Sequence, residues 1–198
     1  MARIKHTKNE LKAQRDALKR FERYLPTLQL KKQQLQLEVR QVEAKVEETR
    51  AREREVKDQL DAWIRLLADP VELSDYIRLE SVEREEGNIA GVRIPVLKEV
   101  RFHREMPDLF ETPSWLDDAI RVLEELARLR AEREALEEAK QNLESELRTT
   151  NQRVNLFEKV KIPEAKDNIR VIRIFLGDEM TAAVARSKIA KGKSDRAA

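Results

Sequence analysis

A chain of 198 residues could form one or two ordinary domains, but 39% of its residues are charged, 5% are aromatic and only four are glycine. This composition is typical of long solvated helices and does not favour a wide hydrophobic core. The chain has no cysteine, which excludes disulfides and thiolate chemistry, and no apolar stretch approaches the roughly 20 residues that span a bilayer. The basic N-terminus lacks the apolar core of a signal peptide. We therefore expect a soluble, intracellular protein without direct membrane insertion.

The net charge of +2 is unevenly distributed. Residues 1–24 carry eight Lys or Arg against three acids, and residues 159–198 carry ten against five, so the stretch between them is acidic by eight. A basic end raises association rates with an acidic surface, although helix ends often carry solvated charges without a partner. Nucleic-acid binding is not favoured, because the basic ends lack interleaved aromatics and a groove-reading motif.

The first predicted element is a long helix from about residue 5 to residue 68, ended by Asp69-Pro70. From Leu11 to Leu67 the positions at steps of three and four are apolar, except for Gln14, Lys32, Thr49 and Glu53. This pattern keeps one stripe on one side of a helix and requires a partner helix. The seam residues proposed for this helix are Leu18, Leu25, Leu35, Val39, Val46, Glu53 and Leu60.

Residues 70–112 break the seven-residue repeat and predict a β-hairpin. Tyr76 to Glu85 and Val92 to Phe102 are the two strands, the second with apolar and polar residues in alternation. Gly87-Asn88 and Gly91 supply the expected turn between them.

An isolated hairpin is marginal in water, so we expect this one to lie on the helices or on a partner. Pro95 marks an edge strand. Three apolar residues that follow the second strand could help to pin the hairpin, namely Met106, Leu109 and Phe110.

A second long helical region starts near Pro113-Ser114, with Ser114 as its N-cap, and runs to about Lys191 with an interruption at Pro163. The repeat holds one phase from Trp115 to Phe157. The seam residues proposed here are Leu126, Arg133, Leu143, Leu147 and Val154. The expected divisions are an N-terminal helix (1–69), a central hairpin region (70–113), a C-terminal helix (114–193) and a tail (194–198).

Both repeats lie on one chain, so the sequence predicts a mainly α fold, a long antiparallel two-helix coiled coil with a small central β-hairpin. Pairing Glu53 with Arg133 would satisfy both charges, although the loop geometry could shift this register by seven residues. The same register sets Pro26 and Pro163 at nearly equal heights, which predicts a shared bend. It also leaves the apolar run from Ile172 to Val184 partly without a partner in its own chain, which suggests burial against another protein.

Few residues point to catalysis. His6 and His103 are far apart in sequence and lack a metal-binding spacing. The carboxylates alternate with Lys and Arg, as exposed ion pairs do. Lys191–Ser194 lacks the leading glycine and the preceding strand of a phosphate-binding loop. We expect no catalytic residue, no cofactor and no metal site.

Several blocks of the chain are more specific than a seven-residue repeat. Five of them resemble the D subunit of V-type and A/V-type rotary ATPases in its bacterial form. They are Arg23 to Gln36, Glu86 to Pro95, Asn151 to Pro163, Ile169 to Asp178 and Ala182 to Lys191. The likeness covers nearly the whole chain. Eukaryotic members have a differently built C-terminal segment, so organelle acidification is not implied.

The resemblance implies a non-catalytic central-stalk rotor subunit in a complex peripheral to the cell membrane on its cytoplasmic side. Such a subunit transmits torque between the ATP-handling hexamer and the membrane ring that moves protons or sodium ions, in ATP synthesis or ATP-driven transport. The implied partners are the catalytic and nucleotide-binding subunits of the hexamer, a small central-stalk subunit and an adaptor of the membrane ring. The alternative is a coiled-coil tether or adaptor without motor function.

In that setting the C-terminal end would enter the hexamer. Its cations could meet acidic residues of the ring, and its apolar side chains could be buried there. The proposed ring contacts are Arg170, Arg173, Phe175, Met180, Val184 and Lys188. The sequence leaves open the coupling ion, the direction of the reaction and the residues that bind the small stalk subunit.

Overall fold

The computed structural model describes residues 4–61, 71–105, 108 and 112–197. The predicted fold class is confirmed, because two long helical stretches from the two ends of the chain flank a small antiparallel hairpin. The elements in chain order are α1 (Lys8–Asp61), α2 (Leu73–Tyr76), β1 (Ile77–Ile89), β2 (Val92–Arg104), α3 (Leu116–Leu156), a π turn (Phe157–Lys161) and α4 (Ile162–Ala197).

The chain forms two compact units. The central unit is Gln33–Arg148, and the terminal unit combines Met1–Lys32 with Thr149–Ala198. Residues from the two ends of the sequence therefore belong to the same unit.

Helix α1 begins at Lys8 because Thr7 caps it. The Thr7 hydroxyl accepts a hydrogen bond from the Glu10 backbone N–H at 3.2 Å, which satisfies one of the free donors of the first turn. The helix continues through Pro26 to Asp61. The end predicted near residue 68 lies outside the described residues.

In the central unit α1 and α3 run antiparallel. Three ion pairs join the two helices, and the number of the α3 partner falls as the number of the α1 partner rises. The pairs are Glu43 with Lys140 at 2.8 Å, Arg50 with Glu137 at 2.8 Å and Glu53 with Arg133 at 3.1 Å.

The hairpin lies on these two helices. Ile94 of β2 packs into one buried cluster with two residues of α1, Leu35 and Val42, and two of α3, Ala139 and Leu143. Burial of one such large apolar side chain stabilises the fold by about 1.5–3 kcal/mol. The expectation that the hairpin needs support is thereby met, whereas Met106, Leu109 and Phe110 lie outside the described residues.

The hairpin turn consists of Ala90 and Gly91, with φ angles of 52° and 81°. Two positive φ angles in a two-residue turn match the twist of the flanking strands. The Asn88 Oδ1 atom supports the turn by accepting a hydrogen bond from the Gly91 N–H at 2.9 Å. Gly91 lies in the turn as predicted, whereas Gly87 and Asn88, which we also expected there, belong to β1.

Gly87 has a different role, which is to allow a close approach within the hairpin. It pairs with Ile94 of β2. A Cβ atom on Gly87 would lie 2.8 Å from Cγ2 of Val96 and 3.3 Å from Cγ1 of Ile94. The buried position of Ile94 therefore depends on the missing side chain at residue 87.

At its open end the hairpin is tied to α3 by Glu124. The Glu124 side chain is 4% exposed and accepts hydrogen bonds from both Nε and Nη2 of Arg104 at the end of β2. The Arg128 guanidinium lies 3.5 Å from the same carboxylate and 5.5 Å from the centre of the Phe102 ring. The hydrogen bonds from Arg104, and then the charges of Arg104 and Arg128, lower the pKa of Glu124 although burial opposes this.

The start of α3 differs from the prediction. Leu116 is the first helical residue, and its N–H donates to the Pro113 carbonyl at 3.1 Å. Trp115 therefore takes the cap position assigned to Ser114, which lies one residue earlier. The Trp115 carbonyl accepts the first intrahelical bond, from the Ala119 N–H at 3.0 Å.

In the terminal unit α4 packs against the first part of α1. Ala165, Ile169 and Ile172 are the buried residues of α4. The Asn168 side chain donates to Gln14 Oε1 at 3.5 Å, and the rings of Phe21 and Phe157 lie 5.2 Å apart.

The break expected at Pro163 takes the form of the π turn, which ends two residues before this proline. Pro163 is the second residue of α4, and because the helical stretch continues unbroken from the π turn, this proline has no N–H to donate to the preceding turn. The helix then extends to Ala197, so residues 194–197 are helical although we expected a tail.

Replacing Gly87 by Val should destabilise the central unit by about 1–3 kcal/mol, because the new side chain must displace Val96 or Ile94. Gly177→Ala is the control, since a Cβ there meets nothing within 4 Å, and in a helix this change is neutral or stabilising by about 0.5–1 kcal/mol. Urea unfolding followed by circular dichroism measures both. Equal stability of the Gly87→Val variant and the parent would contradict the role assigned to Gly87.

Glu124→Gln should lower the stability of the fold at neutral pH and make that stability depend less on pH. Because the folded-state pKa lies below the ordinary value of 4.5, the carboxylate stabilises the fold above the unfolded pKa, and this stability is lost as pH falls through the folded pKa. The melting temperatures of the parent and of this variant are compared between about pH 3 and pH 7. This range includes the pH at which an exposed glutamate titrates, about 4.3. Glu125→Gln, an exposed neighbour, is the matched control.

Candidate functional site: the exposed end of α4

The C-terminal half of α4 exposes apolar side chains to solvent. Ile172 is fully buried, whereas Met180 is 64% exposed and Ile189 is 61% exposed. Every residue from 177 to 195 is exposed. Exposed apolar patches on an otherwise charged surface are typical of surfaces that bind other proteins. The exposed apolar residues of α4 are Val171, Ile174, Phe175, Met180, Val184 and Ile189.

Five of the six predicted ring contacts share one side of α4. At about 100° per residue, they fall within an arc of about 80°. These five are Arg170, Arg173, Met180, Val184 and Lys188. The sixth, Phe175, points elsewhere, and its ring packs against His6 at 4.8 Å between centroids. All six are exposed.

Near the start of this surface, cations surround an apolar groove. Leu18 of α1 and Ile169 and Ile174 of α4 supply apolar walls, and a volume of about 440 Å³ lies between them. The cations that line it are Lys166, Arg170 and Arg173. An acidic segment with apolar side chains is the kind of partner that such a surface fits.

These cations have only weak partners within the unit. Lys166 Nζ lies 3.5 Å from Glu22, and Arg170 lies 3.7 Å from Asp167, both exposed pairs. Exposed ion pairs contribute about 0–1 kcal/mol, so little free energy opposes their exchange for an acidic group of another protein.

The predicted seam residues of the central unit meet at its centre. Leu35, Val46 and Leu143 are buried, and Val39 and Leu147 pack against the same cluster as Leu35. Leu60 and Leu126 are half-buried.

In the terminal unit Val154 is buried, and Leu18 and Leu25 are half-buried. All the apolar residues proposed for the seam are therefore buried or half-buried. The six residues proposed for the ring lie outside the seam.

The polar seam pair is Glu53 and Arg133. Arg133 Nε is buried and 3.1 Å from Glu53 Oε2, but its N–H is not aligned for a hydrogen bond, so this contact is an ion pair. Glu53 also accepts a hydrogen bond from Lys57 at 2.6 Å. The Lys57 hydrogen bond and, after it, the charge of Arg133 lower the pKa of Glu53, against the effect of burial.

Side chains that could bind a metal ion do not cluster in the described part of the chain. No group of three or more His, Asp or Glu side chains there could hold a metal ion. His6 and His103 are both exposed. Among the same residues, no helix is both long enough and apolar enough to pass through a membrane.

Sequence reasoning missed the alanines that receive the hairpin. Ala135 and Ala139 of α3 line one cavity of about 310 Å³ with Ile89, Ile94 and Val96 of the hairpin. Small side chains at a spacing of four let the hairpin approach the helix closely. The spacing of Ala131, Ala135 and Ala139 could have revealed this second face, because it lies beside the seven-residue repeat.

Comparison with known proteins identifies the family. The model of the family described as the D subunit of ATP synthase matches residues 10–192. The V-type ATP synthase D subunit of Borreliella burgdorferi is 44% identical over 191 residues, which cover 96% of this chain and 95% of that protein.

More distant relatives match over the same length. The V-type ATP synthase D subunit of Chlamydia abortus is 34% identical over 97% of this chain and 94% of the relative, and that of Chlamydia trachomatis serovar L2 is 35% identical over 97% and 96%. The match extends through the hairpin and the exposed end of α4, not only through the repeats. The chain therefore belongs to the family of ATP synthase D subunits.

Proposed function

We propose that this chain is the central-stalk rotor subunit of a V-type ATPase, which transmits torque between the ATP-handling hexamer and the ion-translocating ring of the membrane. Membership of the D-subunit family and full-length similarity to V-type ATP synthase subunits support this role. The observation that carries it is the change along α4 from the fully buried Ile172 to residues 177–195, all exposed and partly apolar.

Torque transmission requires paired helices that do not slide along each other. In the central unit the three ion pairs between α1 and α3 fix one register. A slip by one residue would separate Glu53 from Arg133 and leave both half-buried charges without this partner. Glu53 would keep Lys57 and Arg133 would keep Glu137, so the cost of such a slip is the loss of this pair together with the loss of the apolar contacts of the seam.

The exposed end of α4 would lie inside the ring of catalytic and nucleotide-binding subunits. There the exposed apolar side chains, including Met180 and Val184, would be covered, and Arg170, Arg173 and Lys188 would face acidic residues of the ring. Weak, exposed charge contacts suit a surface that must exchange partners at each rotary position.

The chemistry of ATP belongs, in this proposal, to the hexamer and not to this subunit. The chain would act as a non-catalytic subunit, with a small stalk subunit and an adaptor of the membrane ring as its other partners. It would lie on the cytoplasmic side, peripheral to the membrane as part of the complex.

Replacing Arg170, Arg173 and Lys188 together by Ala should weaken assembly with the purified hexamer by about three- to a hundredfold. Each lost charge contact is worth roughly 0.2–1 kcal/mol at an exposed site. Titration of the hexamer with the variant, at low and at physiological salt, measures the affinity, and the salt dependence should shrink with the lost charges.

The matched control replaces three exposed arginines of the central unit by Ala, namely Arg40, Arg52 and Arg54. ATP hydrolysis by the reconstituted complex is measured beside assembly. A tether without motor function would bind without changing the rate of hydrolysis. If the triple variant in α4 assembles and couples like the parent, the proposed contact surface is wrong.

A further inference from the structure

The seam residues around the π turn show one irregular step. Before it, Thr150, Val154 and Phe157 follow at steps of four and three. After it, Ile162, Ala165, Ile169 and Ile172 follow at steps of three, four and three. Only the step from Phe157 to Ile162 has five residues. Burial follows this series, because Thr150, Val154, Ala165, Ile169 and Ile172 are all buried.

The facing part of α1 has no such irregularity. Leu11, Gln14, Leu18, Phe21 and Leu25 follow at steps of three and four, and none of them is exposed. One helix of the terminal unit therefore carries one residue more than the repeat of the other. In a seam that repeats every 3.5 residues, one extra residue turns all later side chains by about 100°.

The π turn stands at the irregular step. The Ile162 N–H donates to the Phe157 carbonyl, so these two residues, five apart, are joined by one hydrogen bond. An α turn joins residues four apart, and a π turn therefore takes in one residue more. Phe157 and Ile162 come to lie one above the other on the same side.

A regular continuation of the repeat from Phe157 would turn different residues toward α1. The next positions of that repeat are Lys161, Glu164, Asn168 and Val171. Lys161 and Asn168 are only half-buried, Glu164 is exposed and Val171 is 45% exposed. The buried residues are Ala165, Ile169 and Ile172, each one position later than this repeat requires.

We infer that the π turn is a one-residue insertion that restores the phase of α4 against α1. Pro163 favours the turn at this place, because a proline has no N–H for the preceding turn and its ring crowds the carbonyl four residues back, at Lys159 within the π turn.

The direction of the exposed surface of α4 follows from this phase. Arg170, Arg173 and Lys188 lie on one face that is fixed relative to the buried Ile169 and Ile172. Only this consequence rests on the proposed function, since it concerns which face of α4 meets the ring. The insertion itself is a property of the isolated chain.

Deletion of Val160 tests the inference in the full-length chain without partners. Because the chain has no cysteine, Gln14→Cys with Asn168→Cys introduces one pair of thiols, at positions that face each other, since Asn168 Nδ2 and Gln14 Oε1 lie 3.5 Å apart. Deletion of Val160 should remove the π turn, continue the regular repeat and leave the disulfide yield within about twofold of the parent, since the seam stays in phase. All melting temperatures are compared in a Pro163→Ala background, because without the π turn Pro163 would lie inside a regular helix; there the deletion should leave the melting temperature unchanged or raise it.

Each of two control variants shifts one helix of the terminal unit by one residue, so that apolar residues turn away from the seam. Deletion of the exposed Arg20 interrupts the unbroken repeat of α1, and insertion of Ala after Val160 adds a second extra residue. Both should lower the disulfide yield at least about tenfold and the melting temperature by roughly 10 °C, because apolar side chains leave the seam. If deletion of Val160 costs as much as deletion of Arg20, the inference is wrong, whatever the outcome with the hexamer.

Discussion

Two stretches from opposite ends of one chain must present apolar residues to each other at the same 3.5-residue period, and the rest of the fold depends on this match. In the central unit the match brings Leu35 and Leu143 out of water and leaves Glu53 beside Arg133. Apolar contacts supply most of the stabilisation, whereas the charged pair makes other registers costly. Stability and register thus have different origins in the same seam.

The helices and the hairpin could be predicted because their periods differ. Steps of three and four over many turns admit only a helix with a partner, and alternation around Ile94 and Val100 admits a strand. The Glu53–Arg133 contact could be predicted for the same reason, because each residue is a charged exception in an apolar repeat and the two charges are opposite. These are properties of side-chain sequence and need no knowledge of the backbone.

The remaining features depend on backbone geometry or on a second packing face. The turn was misplaced because Ala90 adopts a left-handed conformation that favours glycine, while Gly87, the residue with turn chemistry, serves a close contact instead. The alanines that receive the hairpin were hidden because a small side chain carries little signal in a repeat dominated by leucine and valine. At the exposed end of α4 the sequence predicts that apolar residues lack a partner in their own chain. Which side of the helix each of them lies on depends on the π turn, and this could not be predicted.

The exposed end of α4 affects the stability of the chain before it assembles with other proteins. A single helix of this length, with Gly177 and Gly192 in it and every residue from 177 to 195 exposed, is marginal in water. We expect it to fray in newly made copies and to be the first place where cellular proteases cut. Enclosure by other proteins would then protect the chain from proteolysis. The amount of the chain that accumulates in the cell would therefore follow the amount that has assembled with those proteins.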